Sequence, residues 1–185
     1  FIGSFILVVV VLFQQDIRRG LTTLARSPLF SGLSSSKEAL RVEELVRACS
    51  MLAQHKLGGL MVVERRGDLS QFTDEAVRID AIVSKEALFA IFNPANANPL
   101  HDGAVVIRDD RIVCAGAFLP LTSNPRVPKH LGTRHRAAIG ISEDTDAVVV
   151  VVSEETAEIS IAVNGELRHG LSPNTVRQEL QNLLG

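Results

Sequence analysis

The order of apolar and polar residues divides the chain into an apolar start, a helical stretch and a long segment of alternating strands and helices. Residues 1–13 include eleven apolar residues and no charge, and only Gly3 and Ser4 interrupt the run. A membrane-spanning helix needs about 20 such residues. Thirteen residues are too few for a whole span, so we expect 1–13 to be the C-terminal part of a transmembrane helix. A buried strand or core helix of a soluble domain is the alternative.

Positive charge after the apolar run favours the membrane interpretation. Arg18, Arg19 and Arg26 follow it within thirteen residues, and no Lys or Arg precedes it. Basic residues just beyond a span mark its cytoplasmic side. The sequence thus predicts attachment to the cell membrane, with the remainder of the chain on the cytoplasmic side.

Apolar residues at helical spacing continue beyond the run, at Phe13, Ile17, Leu21 and Leu24. The serine-rich stretch 31–36 then resembles a short flexible linker. These features predict three regions, namely 1–13 as the end of a transmembrane helix, 14–36 as an amphipathic membrane-proximal helix and linker, and 37–185 as a globular domain.

Helical and strand patterns alternate from residue 37 onward. Helices are predicted from a Ser35 cap to about 56, over 85–92, from 133 to about 141 and from 173 to 184. Strands are predicted over 60–65, 77–83, 104–108, 111–118, 146–152 and 159–163, with a hairpin turn at Asn164-Gly165. The valine-rich run 146–152 is typical of a strand buried on both faces. We predict an α/β domain with a central mixed sheet of about six or seven strands flanked by helices.

Composition excludes several classes of protein. The chain is 46% hydrophobic, which is too apolar for a disordered protein, and two cysteines cannot form a disulfide scaffold. A formal net charge of −2 gives no electrostatic footprint for nucleic acid. We therefore expect a folded domain with no nucleic-acid partner, in which Cys49 and Cys114 are buried thiols.

Three short segments contain residues that packing does not require. The first is HDGA at 101–104, between a loop and a predicted strand. The Asp102 carboxylate can hold a divalent metal, and Gly103 allows a ligand to approach the backbone closely. An ordinary Asp-Gly turn is the alternative.

The second segment is GTRHR at 132–136, at the start of a predicted helix. A Thr133 cap, free backbone N–H groups and two arginines would form a phosphate cradle. A capped surface helix with solvated arginines is the alternative. Basic residues are unfavourable in the first helical turn, so three of them there favour a bound anion.

The third segment is SEET at 153–156, directly after the valine-rich strand. Ligands in open α/β sheets bind at the carboxyl ends of strands, so this segment is a candidate ligand site. A polar turn between two strands is the alternative. An Asp-Gly pair together with a basic helix start indicates nucleotide or phosphoester chemistry. The sequence contains no Walker loop, dinucleotide fingerprint, zinc spacing or G-x-S-x-G motif.

Four segments in order resemble the diadenylate cyclase domain. They are HDGAVVI at 101–107, FLPL at 118–121, LGTRHRAAIGISE at 131–143 and VVSEET at 151–156. The resemblance is to the membrane-anchored bacterial type, which has three N-terminal spans before a cytoplasmic cyclase domain. On this basis 37–185 is expected to be a diadenylate cyclase domain.

The resemblance implies a reaction in which two ATP condense into cyclic di-AMP and two pyrophosphates, with Mg²⁺, Mn²⁺ or Co²⁺ as the cofactor. Each domain would bind one ATP, and two domains would face each other in a homodimer. Members of the family also have a membrane-associated regulator and a sugar-phosphate mutase as partners. Both are therefore candidate partners of this chain.

The resemblance also assigns roles by position. Asp102 would be the catalytic carboxylate and a metal ligand, and His101 and Glu155 would be further metal ligands. The expected ATP-binding residues come from all four motifs and are Gly103, Ala104, Phe118, Leu119, Thr133, Arg134, His135, Arg136, Ser153 and Glu154. The separate roles of Ser153, Glu154 and Glu155 are left open.

Two positions depart from the family pattern. Phe118 stands where the membrane-anchored type often has Tyr, which keeps stacking on adenine but removes a hydroxyl. Ala157 and Glu158 stand where small glycines are common. Neither change removes a catalytic group, so we expect an active enzyme.

Two other functions remain as alternatives. A non-catalytic sensor of ATP or a cyclic dinucleotide could lose Asp102, yet this chain retains it. A metal-dependent phosphodiesterase or nucleotidase usually needs several carboxylate and His ligands. In this sequence His101 and Asp102 are the only His and carboxylate residues that are adjacent.

Overall fold

A seven-stranded mixed sheet forms the centre of the computed structural model, which describes residues 31–95, 98–128 and 131–185. The helices of the described residues are α1 (Ser31–Gln54), α2 (Lys85–Phe92), α3 (Thr133–Asp144) and α4 (Pro173–Leu184). The strands are β1 (Gly59–Val63), β2 (Val77–Ile82), β3 (Ala104–Arg108), β4 (Arg111–Ala117), β5 (Val148–Val152), β6 (Ile159–Val163) and β7 (Glu166–Leu171). The predicted α/β fold class is confirmed, with the larger of the two expected strand counts.

The strands lie in the order β2-β4-β3-β1-β5-β6-β7. Strand β1 runs parallel to β3 and antiparallel to β5, with Gly59 opposite Val152. Strand β4 runs antiparallel to β3, with Ala104 opposite Ala117. Consequently β1 and β3 begin at the same end of the sheet at which β4 and β5 end. The loops at that end bring together the segments singled out in the sequence.

Two apolar layers cover the sheet, one on each face. Residues of α1, α2 and α4 pack on one face against Met61, Val63 and Val150. Helix α3 packs on the other face, where Leu60 and Val62 belong to its cluster. Successive side chains of a strand point to opposite faces, so a strand covered on both sides is apolar throughout. All five residues of β5 are buried valines, as the valine-rich run predicted.

Local signals account for several element ends. The Ser84 side chain accepts a hydrogen bond from the Ala87 N–H at the start of α2, and the Ser172 side chain caps α4 ahead of Pro173. Asn164 (φ 52°) and Gly165 (φ 78°) form the predicted turn between β6 and β7. A two-residue turn of this type needs a positive φ at both positions, which Asn-Gly tolerates well.

The start of α1 differs from the predicted helix start. Residues 31–36 are the first part of α1 instead of a linker, and Ser35 lies inside the helix instead of capping it. Serine lowers helix propensity only by several tenths of a kcal/mol relative to Ala, and extending an existing helix is favourable. The compact unit that contains the sheet is Lys37–Gly185.

The predictions for 1–13 and for the membrane-proximal helix up to residue 30 lie outside the described residues. Among the described residues, none of the helices combines the length and the apolarity that crossing a membrane requires.

Candidate functional site

Asp102 lies at the end of the sheet where β3 begins. A single turn of 3-10 helix, Pro99–His101, precedes it, and its side chain is exposed. The next residue, Gly103, has φ +129°, and a Cβ there would be 2.7 Å from the Gly116 carbonyl carbon. Gly116 itself has φ +71°. Glycine at both positions lets β3 and β4 approach closely and leaves the Asp102 carboxylate outside the sheet.

Asn98 holds the loop that carries His101 and Asp102. Its side-chain amide donates to the carbonyls of Ile91 (2.9 Å) and Asn93 (3.0 Å) at the end of α2. Its side-chain oxygen accepts from the Leu100 N–H at 3.0 Å. The loop is therefore fixed to α2 by one side chain that sequence analysis did not identify.

His101 is oriented by the same residue. Its Nδ1 hydrogen-bonds to the Asn98 carbonyl, and a carbonyl oxygen can only accept. Nδ1 therefore carries a proton, which in the neutral ring leaves the lone pair on Nε2. A neutral imidazole with this tautomer can bind a metal through Nε2.

Arg134 connects three of the predicted segments. Its Nη1 lies 2.9 Å from Oε2 of Glu154, and its Nη2 donates to the His101 carbonyl at 3.4 Å. The guanidinium lies against the buried Gly58, where a Cβ would be 2.5 Å from Nη1. Only 22% of the Arg134 side chain is exposed. The HDGA, GTRHR and SEET motifs thus meet at one guanidinium.

The start of α3 differs in one respect from the sequence prediction. Gly132 is the N-cap residue, and Thr133 is the first residue of the helix. The predicted Thr133 cap is therefore wrong, because the residue before it already has the extended backbone (φ −67°, ψ 174°) of a cap. Glycine offers no side-chain acceptor, so the first-turn N–H groups depend on water or on a ligand.

The segment after β4 packs against α3. The Arg136 carbonyl accepts from the Thr122 N–H at 3.1 Å, and the Thr122 hydroxyl donates to Glu143 at 2.8 Å. Phe118, on the same segment, is 74% exposed and Leu119 is half-buried. An aromatic ring with that exposure is available to stack on a planar ligand.

The loop between β5 and β6 is closed by its own hydrogen bonds. The Ser153 N–H donates to the Glu158 carbonyl at 3.0 Å, and the Ala157 N–H donates to the Ser153 carbonyl at 3.0 Å. Ala157 has φ 59°, a left-handed conformation that favours glycine. Glu154 and Glu155 are exposed on this loop.

The described residues do not by themselves assemble a complete metal site. No group of three or more His, Cys, Asp or Glu side chains that could hold a metal ion occurs among the described residues. That His101, Asp102 and Glu155 ligate a metal together with other groups stays a prediction. Asp102 makes no hydrogen bond or ion pair with the described residues, so its carboxylate is free to bind a cation.

Gly58 and Asn98 are the site residues that sequence reasoning missed. Gly58 lies between a predicted helix and a predicted strand, and Asn98 lies between the predicted helix 85–92 and the predicted strand 104–108. A glycine directly before a buried strand, and an Asn preceding Pro at a helical turn, were the available signals. Neither signal identifies the distant residue that the structure places beside it.

Comparison with known proteins agrees with the motifs. The sequence model of the DAC family, described as "DisA bacterial checkpoint controller nucleotide-binding", matches residues 46–167. The chain belongs to this family. The matched range contains the HDGA, FLPL, GTRHR and SEET segments, so the predicted family resemblance is confirmed.

Relatives in the family are similar over nearly the whole chain. The cyclic di-AMP synthase CdaA of Bacillus subtilis is 37% identical over 178 residues, which cover 95% of this chain and 64% of that protein. The diadenylate cyclase of Listeria monocytogenes serotype 1/2a is 38% identical over 181 residues, covering 96% and 64%. This chain thus spans 64% of the length of these two relatives.

Solved structures share the fold. A double-cysteine mutant of DacA from Staphylococcus aureus matches with a TM-score of 0.77 and 37% identity, over 80% of this chain and 98% of that chain. A hypothetical membrane spanning protein from Bacillus cereus matches with a TM-score of 0.67 and 37% identity, over 88% and 80%.

Proposed function

We propose that this chain is a diadenylate cyclase that condenses two ATP into cyclic di-AMP and two pyrophosphates. The observation that carries the proposal is the meeting of the HDGA, GTRHR and SEET motifs at Arg134. The names of the family's relatives support the same reaction. The product would be a nucleotide second messenger.

The reaction consists of two equivalent displacements. The 3′-oxygen of each ATP attacks the α-phosphorus of the other, so that a phosphodiester bond forms and the bond to the β-phosphate oxygen breaks. Each step releases one pyrophosphate and one proton from the 3′-hydroxyl. The exposed Asp102 carboxylate has no partner among the described residues, and it would help to remove that proton.

The start of α3 would hold the triphosphate. Its uncapped first-turn N–H groups and the positive end of the helix favour an anion. Thr133, His135 and Arg136 add donors there, and Ser153 lies on the facing loop. Charge that develops on the departing pyrophosphate would be stabilised by these groups.

Phe118 and Leu119 would contact adenine. Phe118 is exposed directly after β4, at the end of the sheet where β3 begins beside Asp102. Gly103 and Ala104 would let the nucleotide lie against the start of β3.

Divalent Mg²⁺, Mn²⁺ or Co²⁺ is proposed as the cofactor, with Asp102, His101 Nε2 and Glu155 as the protein ligands. Such an ion supplies electrostatic stabilisation of the phosphate oxygens. The free Asp102 carboxylate and the His101 tautomer fit this role. Among the described residues these side chains do not form a complete metal site by themselves, so ATP oxygens and water would complete the coordination.

Two copies of the chain would face each other, because each ATP must present its 3′-hydroxyl to the other. A membrane-associated regulator and a sugar-phosphate mutase are proposed as further partners by analogy with the family. Attachment to the cell membrane through 1–13 is proposed from its apolar sequence and is supported by the similar Bacillus cereus membrane spanning protein.

Separation of the products made from ATP with Mn²⁺ tests the proposal. We expect cyclic di-AMP and pyrophosphate. AMP or ADP would indicate hydrolysis, and unchanged ATP would indicate a sensor, so either result contradicts the cyclase.

Asp102→Asn tests the proposed catalytic carboxylate. The amide cannot accept a proton and binds cations weakly, so we expect product formation to fall by about a thousandfold or more. Thermal melting serves as the control, since an exposed side chain contributes little to folding. Product formation near the wild-type rate would exclude the assigned role.

A further inference from the structure

We propose that Arg134 is a positioning residue whose guanidinium holds the loop of Asp102 against the loop of Glu154 and Glu155, and that it does not ligate the triphosphate. This inference rests on the proposed cyclase function and concerns how the site is assembled. It assigns different roles to Arg134 and Arg136, which the sequence motif alone does not distinguish.

The guanidinium of Arg134 is committed to protein groups. Nη1 is paired with Glu154 at 2.9 Å, and Nη2 donates to the His101 carbonyl at 3.4 Å. Nε is buried and has no hydrogen-bond partner among the described residues. The planar guanidinium presents its N–H donors in a fixed arrangement, so it can hydrogen-bond to two loops at once. The ammonium of a lysine on its flexible stem lacks that fixed arrangement.

Gly58 restricts the position of the guanidinium. An added Cβ at Gly58 would lie 2.5 Å from Nη1, 2.7 Å from Cζ and 3.0 Å from Oε2 of Glu154. The ion pair therefore lies directly on the backbone ahead of β1. That backbone covers one side of the guanidinium.

The charge of Arg134 is already balanced. A triphosphate that approached Nη1 would meet the Glu154 carboxylate at the same place, and like charges at that distance repel. The charges of a phosphate site are expected on groups that remain free of internal partners.

The Arg136 guanidinium makes fewer contacts with protein groups. In the described part of the chain, the one hydrogen bond of its side chain is from Nη2 to the Thr122 carbonyl, at 3.5 Å. Residues two apart on a helix point in different directions, so the side chains of Arg134 and Arg136 meet different surroundings. Of its five N–H donors Arg136 has one engaged, whereas Arg134 has two engaged and a third, on Nε, buried.

The first experiment compares Arg134→Lys with Arg136→Lys. Binding is measured with 3′-deoxy-ATP, which lacks the attacking hydroxyl, and turnover is measured with ATP. Arg134→Lys should lower kcat by roughly tenfold or more and change the Kd by less than about threefold. Arg136→Lys should raise the Kd by roughly tenfold. A rise in Kd for Arg134→Lys equal to that for Arg136→Lys would overturn the proposal.

The second experiment moves the guanidinium without removing it. Gly58→Ala should displace the Arg134 ion pair and lower kcat by roughly tenfold, like Arg134→Lys. Gly67→Ala is the matched control, because its added Cβ would also meet a side-chain oxygen, at 2.9 Å from Asp146, at the opposite end of β1. Wild-type turnover in Gly58→Ala, or an equal loss in Gly67→Ala, would contradict the positioning role.

Glu154 provides a third test. Glu154→Gln keeps an oxygen that can accept from Nη1, so it should retain more activity than Glu154→Ala. The effects of Glu154→Ala and Arg134→Lys should be non-additive, because each breaks the same contact. Additive losses would show that the two side chains act separately.

Hydrogen exchange tests the same idea without using turnover. Arg134→Lys should speed amide exchange in both loops, 99–104 and 153–158, while Arg136→Lys should leave 153–158 unchanged. Unchanged exchange in both loops of Arg134→Lys would overturn the proposal even in an active cyclase. A wild-type chain that forms no cyclic di-AMP would refute the proposed function alone, since the exchange result stands independently.

Discussion

Ala157 adopts a left-handed backbone conformation, with φ 59°, in the loop that follows β5. A Cβ in this region costs roughly 1–2 kcal/mol, which glycine avoids. The loop keeps its hydrogen bonds from Ser153 to Glu158 despite this strain. The departure from glycine that is visible in the sequence therefore affects stability more than it affects the path of the loop.

Ala157→Gly should stabilise the protein by about 0.5–1 kcal/mol, because the relief of strain exceeds the added entropy of the unfolded chain. Chemical denaturation measures the change. Ala53→Gly, in the helical backbone of α1, is the matched control and should destabilise by about 1 kcal/mol. The same sign in both variants would contradict the conformational argument.

Cys49 responds to pH through its burial. Desolvation raises the pKa of its thiol from 9.0 to about 12. Above pH 9 the unfolded chain releases this proton while the folded chain retains it, so the unfolded state binds fewer protons and stability falls as the pH rises toward 12.

Cys49→Ala should therefore show a shallower loss of unfolding free energy between pH 9 and 12 than the wild type. Denaturant unfolding at several pH values measures the two slopes, and the difference between the proteins removes the contribution of other titrating groups. Parallel slopes would mean that the thiol does not titrate differently in the two states.

At the scale of elements, helix α3 fixes the segment that follows β4. Gly140 faces that segment so closely that an added Cβ would lie 2.2 Å from the Pro120 carbonyl oxygen and 2.8 Å from the Thr122 nitrogen. Both atoms belong to the backbone and cannot rotate away. The same helix therefore carries GTRHR at its start and determines where Phe118 and Leu119 lie.

Gly140→Ala should destabilise the protein by about 2 kcal/mol, although alanine favours an isolated helix by about 1 kcal/mol. The added methyl group would push away the segment 120–122, which should also weaken binding of 3′-deoxy-ATP. Thermal melting and calorimetry measure the two effects. A variant that melts at or above the wild-type temperature would exclude this close contact.

Asn98 and Gly103 show how contacts between elements position the side chain of Asp102. Asn98 ties the end of α2 to the turn before Asp102, and Gly103 allows β3 to begin against Gly116. These contacts position the carboxylate from two sides. Exposure of Asp102 is thus a property of two element junctions and not of the residue alone.

At the scale of the whole molecule, cyclic di-AMP requires two nucleotides and one chain offers one set of the four motifs. Specific activity should therefore rise with protein concentration until the dimer is saturated, while 3′-deoxy-ATP binding per chain should stay constant. Rate measurements over a hundredfold dilution, with light scattering for mass, test this. Constant specific activity in a monomeric range would contradict catalysis between copies.

Much of the fold could be predicted because its signals are local. Caps and turns are indicated by a few neighbouring residues, as at Ser84, Ser172-Pro173 and Asn164-Gly165. The structure has these element ends at the expected positions. Where local signals were ambiguous the prediction failed, as with the serine-rich 31–36 and the Thr133 cap.

The candidate site could be predicted only in part. The order of the four motifs identified the family and the candidate residues, including Asp102 and Arg134. Gly58 and Asn98 were missed, because their roles depend on partners such as Arg134 and the end of α2 that other elements bring close.

The amino-acid sequence alone determined the class of this domain, most of its strands and helices and the residue types of its motifs, since periodicity, caps and residue types are properties of short segments. Tertiary structure alone decided which atoms meet. The pairing of β1 with β5 brings Gly58 to Glu154, and α3 supplies Arg134 between them. A contact between residues so far apart in the chain depends on strand order and packing, and no local pattern encodes it.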